Sequence, residues 1–437
     1  MSIGKKLASR SVVMFGLRVG GAGFIFLVQA AIAQVWGAEA LGDYLLAIAA
    51  ANLLAVVMPL GFQTVGTYFA AEYGAKSDGR NLRRFLMRSF AHVFVIGGAI
   101  TILGWPVTYL MGNTGEHLLA LWVPTALIAM GTAFTFINTT ALVGLKRPLM
   151  GYMPDMVLRP ALVITSFAIV ALTAGKADLN AMLWLFALLL LALEAGHFVL
   201  LYRAVRNVPA SSEHQPEPSR RWWRFAAPWV MITLAADYFF DINLIMLAEL
   251  LPRTDLAIFG VSTRIFALVS FGVVAVYAMT LPEMFEADGK KDAEALSRRL
   301  GEANIVAVLL SGALFLGVTL FGRYLLMLFG EEFVVGAWPM SILCLALVVR
   351  AAFGPAPMVL SMRDKPFDSL PAVALGLATL VLGNMALVPP YGLNGAAISA
   401  FIAISLWSAT LWLIAWRRTG IDVSIFARFR ARACHQL

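Results

Sequence analysis

Charge is what this chain has least of. Asp, Glu, Lys and Arg make up 13% of its 437 residues and hydrophobic residues 60%, whereas a soluble globular domain carries roughly 25% charged residues. Cysteine is nearly absent as well. Cys344, in an apolar stretch, and Cys434, near the C-terminus, are the only two, and they give neither a disulfide framework nor metal-ligand spacing. No phosphate-cradling G-x-x-x-x-G-K-[ST], no H-E-x-x-H and no G-x-S-x-G occurs, so no motif supports catalysis or hydrolysis of ATP on this chain. The alternating strands of about ten residues that a membrane β-barrel requires are missing too.

What is present is a series of apolar stretches, approximately 11–34, 42–67, 89–110, 118–143, 151–173, 180–202, 225–250, 256–283, 303–323, 333–355, 369–388 and 392–416. A helix needs about 20 apolar residues to cross roughly 30 Å of hydrocarbon, so the stretches read as twelve spanning helices of an all-α polytopic membrane protein. The basic residues support that count. All but seven of the 33 lysines and arginines fall in the N-terminal segment, the even-numbered connections and the C-terminal tail. The odd-numbered connections hold only Lys176, Arg253 and Arg323. Positive segments resist translocation, which predicts both termini in the cytoplasm. The net charge of +8 is then topological and calls for no nucleic-acid partner. Lys5, Lys6 and Arg10 ahead of an apolar run that ends at Ala31-Ile32-Ala33 resemble a signal peptide. Arg18 interrupts that run, and its length exceeds the usual 7–15-residue apolar core, so the segment is expected to remain as the first helix.

The segment 203–224, with Pro209, Ser211, Ser212, Glu213, Pro216, Glu217 and Pro218, has linker composition. It divides the chain into a first lobe (1–207), a cytoplasmic linker (208–222) and a second lobe with a basic tail (223–437). The halves also match weakly at one constant spacing. Leu41 corresponds to Leu256, Tyr44 to Phe259, Gly74 to Gly289, and Arg83-Arg84 to Arg298-Arg299. Six helices per half is an even number, so the halves should be parallel repeats enclosing a central cavity, as in secondary transporters that work by alternating access.

Four basic residues lie inside spans: Arg18, Arg159, Arg264 and Arg350. A charge at the centre of a membrane helix costs roughly 2.5–3.5 kcal/mol on insertion scales, so it should face the bundle or a watery cavity. Arg350 is close enough to a helix end to snorkel. Arg18, Arg159 and Arg264 are candidates to bind an anion such as a phosphate, since the guanidinium fork matches its oxygens. Structural ion pairing is the other reading. Among the acids, Asp237 and Asp241 are spaced i,i+4 and Glu194 and His197 i,i+3, which puts each pair on one helix face. Both pairs suit proton or sodium coupling, or equally polar contacts between helices. Asp43 and Asp155 lie near helix ends and read as caps or interfacial charges. Gly16, Gly20, Gly21 and Gly23 allow close packing of helix 1, and Pro106, Pro124, Pro160, Pro228 and Pro339 can kink their helices.

Five segments carry a resemblance. They are Gly37-Ala38-Glu39-Ala40-Leu41-Gly42-Asp43-Tyr44, Leu60-Gly61 with Tyr68-Phe69-Ala70-Ala71-Glu72-Tyr73-Gly74, Val157-Leu158-Arg159-Pro160, Asp241 with Leu244-Ile245-Met246, and Val388-Pro389-Pro390-Tyr391-Gly392 with Gly395-Ala396-Ala397. Together they resemble the multidrug/oligosaccharidyl-lipid/polysaccharide flippase superfamily, and within it the Wzx-like bacterial polysaccharide transporters. Ile242 and Asn243 depart from it where many relatives have a basic residue, and Met362-Arg363-Asp364 departs where a threonine-glycine pair is common. The resemblance implies a flippase that moves a polyprenyl-diphosphate-linked oligosaccharide across the bacterial inner membrane for cell-surface polysaccharide synthesis. Arg18, Arg159 and Arg264 would hold the diphosphate, and Asp237, Asp241, Glu194 and His197 would couple transport to Na+ or H+. It implies no cofactor and no metal, with membrane lipids and other polysaccharide-assembly proteins as partners. A multidrug or organic-cation antiporter of the same superfamily is the competing expectation, and a membrane polymerase or glycosyltransferase a more distant one.

Overall fold

The computed structural model describes residues 3–173, 177–209, 216–289, 293–363 and 365–426. Lys176, Asp364, Cys434, part of the expected linker and most of the basic tail lie outside the described residues. The regular elements are all helical. Among the described residues ten helices are long and apolar enough to cross a membrane, or eleven when the bent pair Ser219–Leu234 with Phe239–Leu247 is counted as one span. One of the ten lies in Pro366–Thr419, where the helix α16 (Leu370–Thr419) is interrupted at Gly392, with φ 54 and ψ −131. Fifty residues of helix would run about 75 Å, more than twice the roughly 30 Å of a hydrocarbon core.

By packing, the chain divides into two compact units, Met1–Glu249 and Leu250–Leu437. The linker marks a different boundary, because sequence repetition and packing measure different things. The helix that opens the second half of the sequence packs with the first unit.

In the first unit, α1 (Ile3–Trp36), α2 (Ala38–Val57), α3 (Phe62–Ala75), α4 (Gly79–Thr108) and α5 (Gly112–Leu119) lead to the central helix α6 (Trp122–Gly144). α7 (Pro148–Met153), a π-helical turn (Pro154–Leu158), α8 (Arg159–Thr173), α9 (Leu179–Arg206), α10 (Ser219–Asp237) and α11 (Phe239–Leu247) complete it. α6 packs against α2, α3, α4 and α9. Lipid tails give no hydrophobic drive for helix association, so small residues that let backbones approach take its place. A Cβ at Gly144 would lie 2.5 Å from the Thr67 carbonyl oxygen of α3, and one at Gly131 would lie 2.9 Å from the Leu190 side chain of α9. On α1, only Gly21 makes such an approach: a Cβ there would lie 2.2 Å from the Met156 carbonyl oxygen, while Gly16, Gly20 and Gly23 have open space.

The breaks fall where the backbone leaves helical geometry. Leu60 (φ 53) and Gly61 (φ 83) separate α2 from α3, and Gly61 admits the Ala226 carbonyl of α10. Of the prolines expected to kink helices, Pro160 adjoins an irregularity. It has no N–H to donate to Met156, and the preceding residue Arg159 bonds five residues back to the Pro154 carbonyl. The freed Met156 carbonyl is the one that α1 approaches at Gly21.

α10 is fastened to α3 at its start. The Arg221 guanidinium bridges Glu72 (2.8 Å) and Glu217 (3.1 Å), and it lies over the Phe69 ring. Trp222 Nε1 donates to the Tyr73 hydroxyl at 2.7 Å. Burial pushes the Glu72 carboxyl up, but hydrogen bonds from Lys76 and Arg221 together outweigh it and hold the group below the usual range. Burial moves the Tyr73 phenol up to about 12, against the Trp222 hydrogen bond.

The second unit comprises α12 (Arg253–Gly289), α13 (Ala293–Met327), a 3₁₀ turn (Glu331–Gly336), α14 (Ala337–Phe353), α15 (Ala356–Met362), a second 3₁₀ turn (Pro366–Ser369) and α16. α14 packs against α12, α13 and α16. Buried Asn304 accepts from the Tyr277 hydroxyl at 3.1 Å and donates to the Val423 carbonyl. Gly354 (φ 76) lies under that same carbonyl, where a Cβ would be 1.9 Å away. The segment after α16 is thereby docked on the ends of α13 and α14.

Two polar clusters in the first unit

The first cluster is built across α6 and α9. Glu194, 3% exposed, receives the Thr135 hydroxyl at 2.7 Å on Oε1 and the Asn138 side-chain amide at 2.9 Å on Oε2. His197 Nδ1 lies 3.2 Å from Oε2. The i,i+3 spacing does what the sequence predicts and brings Glu194 and His197 into contact on one face. Thr135 and Asn138 are the residues that sequence reasoning missed. Their only signal is an i,i+3 polar spacing, and the same helix also carries Thr125, Thr132, Thr139 and Thr140. Every group facing the carboxylate can donate to it. On the far side of the cluster, His197 Nε2 and Asn138 Oδ1 are buried without hydrogen-bond partners.

The second cluster gathers at the π-helical turn and the bend between α10 and α11. Arg159 Nη1 lies 3.3 Å from Asp155 Oδ1, with the side chains 15% and 42% exposed. Asp155 is therefore the ion-pair partner of Arg159, one helical turn before it, and neither a cap nor an isolated interfacial charge. Tyr238 at the bend is within electrostatic reach of Asp237, Asp241, Arg159 and Asp155. Asn52 of α2 donates to Asp241 Oδ2 at 3.5 Å, a marginal distance. The helix bends by 56° here, and Tyr238 has non-helical φ −117, ψ 21. The expected single face for Asp237 and Asp241 is thus corrected. Asp237 ends α10 and is exposed, while Asp241 sits in the first turn of α11 and is buried.

Arg18 is exposed on α1. Arg264, partly buried on α12, and Arg350, exposed in the last turn of α14, belong to the second unit. Asp43 faces His117 Nδ1 at 2.9 Å.

No protein-family profile and no curated protein sequence matches the chain. Solved structures do. An inward-facing multidrug resistance MATE family transporter of the MOP superfamily superposes with a TM-score of 0.74 at 17% identity, covering 93% of this chain and 94% of that one. The lipid II flippase MurJ in an inward closed conformation gives 0.69 at 12% identity, covering 92% and 87%. A MOP superfamily transporter from Pyrococcus furiosus, described as having a binding pocket of reversed polarity, gives 0.62 at 16% identity, covering 93% and 95%. At these identities the comparison speaks for the fold, and the fold is that of the MOP-superfamily transporters and flippases.

Proposed function

We propose that this chain is a bacterial inner-membrane flippase that moves a polyprenyl-diphosphate-linked oligosaccharide between leaflets by alternating access. In this reading the two arms of α16 are separate crossings. They bring the total to twelve, in two parallel six-helix repeats with both termini cytoplasmic. The observation that carries the reading is Arg159. Its guanidinium has five N–H donors, yet a single 3.3 Å contact to a half-exposed Asp155 is the one hydrogen bond it makes among the described residues. A diphosphate could take the remaining donors as charge-assisted, bidentate hydrogen bonds. Arg18 and Arg264 would add to its hold. The lipid tail would stay in the bilayer while the sugar crosses through water. Asp237 and Asp241, or Glu194 and His197, would carry the counter-ion. The likeness to a lipid II flippase supports a lipid-linked substrate.

A second reading has its own observation. Around Tyr238 three carboxylates, Asp155, Asp237 and Asp241, accompany one arginine. Carboxylates beside aromatic rings suit an organic cation, and one structural neighbour is a multidrug resistance transporter. The two readings separate in one experiment. Purified protein is reconstituted in liposomes and assayed for leaflet transfer of a fluorescent polyprenyl-diphosphate sugar, and in parallel for uptake of tetraphenylphosphonium. The flippase reading expects transfer of the lipid, reduced in Arg159→Ala. Cation uptake without lipid transfer would replace it with the multidrug reading.

A further inference from the structure

We infer that Glu194, His197, Thr135 and Asn138 form a proton-binding site in the seam between α6 and α9, built for one proton and not for a sodium ion. The inference rests on the transporter reading for its physiological role, but the site itself follows from the hydrogen bonds.

Thr135 is the informative member. Its Oγ1 lies 2.7 Å from Glu194 Oε1 and 3.1 Å from the Gly131 carbonyl oxygen of its own helix. A hydroxyl has one proton and two acceptor lone pairs, so it serves one of these oxygens at a time. With Glu194 ionised, the hydroxyl donates to Oε1. When a proton adds to Oε1, the new carboxyl O–H donates to Thr135 Oγ1, and the threonine proton turns to the Gly131 carbonyl. Oε2 goes on accepting from Asn138 Nδ2 and His197 Nδ1 in both states. No heavy atom moves, and no hydrogen bond around the carboxyl is lost. The cluster thus accommodates either charge state at one geometry. The proton is taken from a hydronium ion of the aqueous phase, whose O–H bond breaks as the carboxyl O–H forms and which is left as water.

The electrostatics favour that use. A buried carboxylate with a neutral imidazole carries a net charge of −1, which is costly in an apolar interior. Adding one proton, to the carboxyl or to His197, brings the pair to neutrality. Among the described residues Glu194 contacts no other charged group. On α2 and α3, which pack against α6, Asp43 faces His117, Glu72 is held by Lys76 and Arg221, and Glu39 is exposed. α6 contributes no titratable residue to the seam. α8 contributes only Arg159, at its first position and paired with Asp155. On α4, Arg80, Arg83, Arg84 and Arg88 are exposed, and His92 stacks against Phe62 and Trp223. On α9 itself, Arg203 and Arg206 are exposed in the last turn. The proton is therefore the charge that this cluster is arranged to accept. A hard cation wants a shell of oxygen ligands, whereas here three hydrogen-bearing groups converge on the carboxylate and one of the four side chains is an imidazole.

The test uses the full-length protein in lipid nanodiscs without substrate, followed by pH-dependent infrared difference spectroscopy. The expected result is a carboxylic acid C=O band that grows on acidification and is missing in Glu194→Gln. Its midpoint should be the same in sodium chloride and choline chloride. Thr135→Val removes a hydrogen bond from both states, but the one to the ionised carboxylate is the stronger, so the midpoint should move up by about one pH unit. This variant keeps the test decisive if Glu194→Gln does not fold. The proposal is overturned if no Glu194-dependent band titrates, if the Thr135→Val midpoint stays in place, or if sodium displaces the proton and lowers the midpoint. Because no substrate is present, failure here removes the proton site and leaves the flippase assay to stand or fall separately.

Discussion

The two units bury different chemistry. The first holds a carboxylate and an imidazole at Glu194 and His197, and a second carboxylate at Asp241, each less than a tenth exposed. Among its described residues the second buries no carboxylate and no imidazole. Its buried polar residues are neutral side chains such as Ser262, Asn304, Asn384 and Ser399. Trp412 on the second arm of α16 donates its indole N–H to Asp422 at 2.7 Å. A neutral polar interior can be satisfied permanently by fixed hydrogen bonds. A charged one exchanges protons or ligands, so the first unit is where coupling and recognition should concentrate.

That contrast is broken or confirmed first by stability. Glu194→Ala leaves Asn138 and His197 facing a void with their donors unsatisfied, at about 1–3 kcal/mol for each buried group, besides the cavity itself. Glu194→Gln, which keeps the shape, should cost clearly less. Denaturation of the detergent-purified protein measures both. The second expectation is functional. Arg159→Ala should lower transfer of the diphosphate lipid by a free energy of about 1.5–3 kcal/mol, the worth of a hydrogen bond to a charged group. Arg159→Lys should restore only part of it, because a point charge lacks the fork. A full-rate Arg159→Ala would remove the first unit's claim to recognition. The third lies in the other unit. Asn304→Ala strands the Tyr277 hydroxyl and the Val423 carbonyl, at about 1–3 kcal/mol for an unsatisfied buried group. If it destabilises as much as Glu194→Ala, the distinction between the interiors is not energetic.

The legible parts of the sequence were those governed by period and length. Apolar stretches of about 20 residues marked the helices, and the i,i+3 spacing of Glu194 and His197 survived because α9 is a continuous helix through both. The i,i+4 argument for Asp237 and Asp241 failed for the opposite reason. The chain bends at Tyr238, and no glycine or proline marks the place. Prolines do adjoin the breaks at Leu60–Gly61 and Gly392, where positive φ interrupts the helix: Pro59 precedes the first and Pro389-Pro390 the second. The apolar stretches separate at the second, between 388 and 392, but run through the first within 42–67. Thr135 and Asn138 were invisible because their partner Glu194 is 59 and 56 positions away, and threonine and asparagine in a membrane helix carry no label saying which neighbour they serve. The pairing of Asp155 with Arg159 was readable from its spacing, yet proximity to a helix end suggested a cap instead.

The smallest effect concerns charge at the rim of the first unit, where α3 meets α10. Glu72 titrates below its ordinary 4.5 because Lys76 and Arg221 together outweigh the opposing effect of burial. A carboxyl depressed in the folded state stabilises fully above its unfolded value, and that contribution is lost as pH falls through the lower folded value. Lys76 shows the mirror behaviour. Its ammonium is raised by the hydrogen bond to Glu72, so its contribution is present below 10.5 and fades only as pH rises beyond that. Between these limits the contact is constant. Glu72→Gln should therefore destabilise by up to about 1 kcal/mol at pH 7, the range of a partly exposed ion pair. The gap between wild type and variant should close as pH is lowered from 5 toward 3. Thermal midpoints of both proteins across that interval measure it. A gap unchanged at pH 3 would mean that Trp222, Tyr73 and the aromatic contacts hold α10 in place and that the ion pair only decorates them. Charge would then matter in this unit only where it is buried.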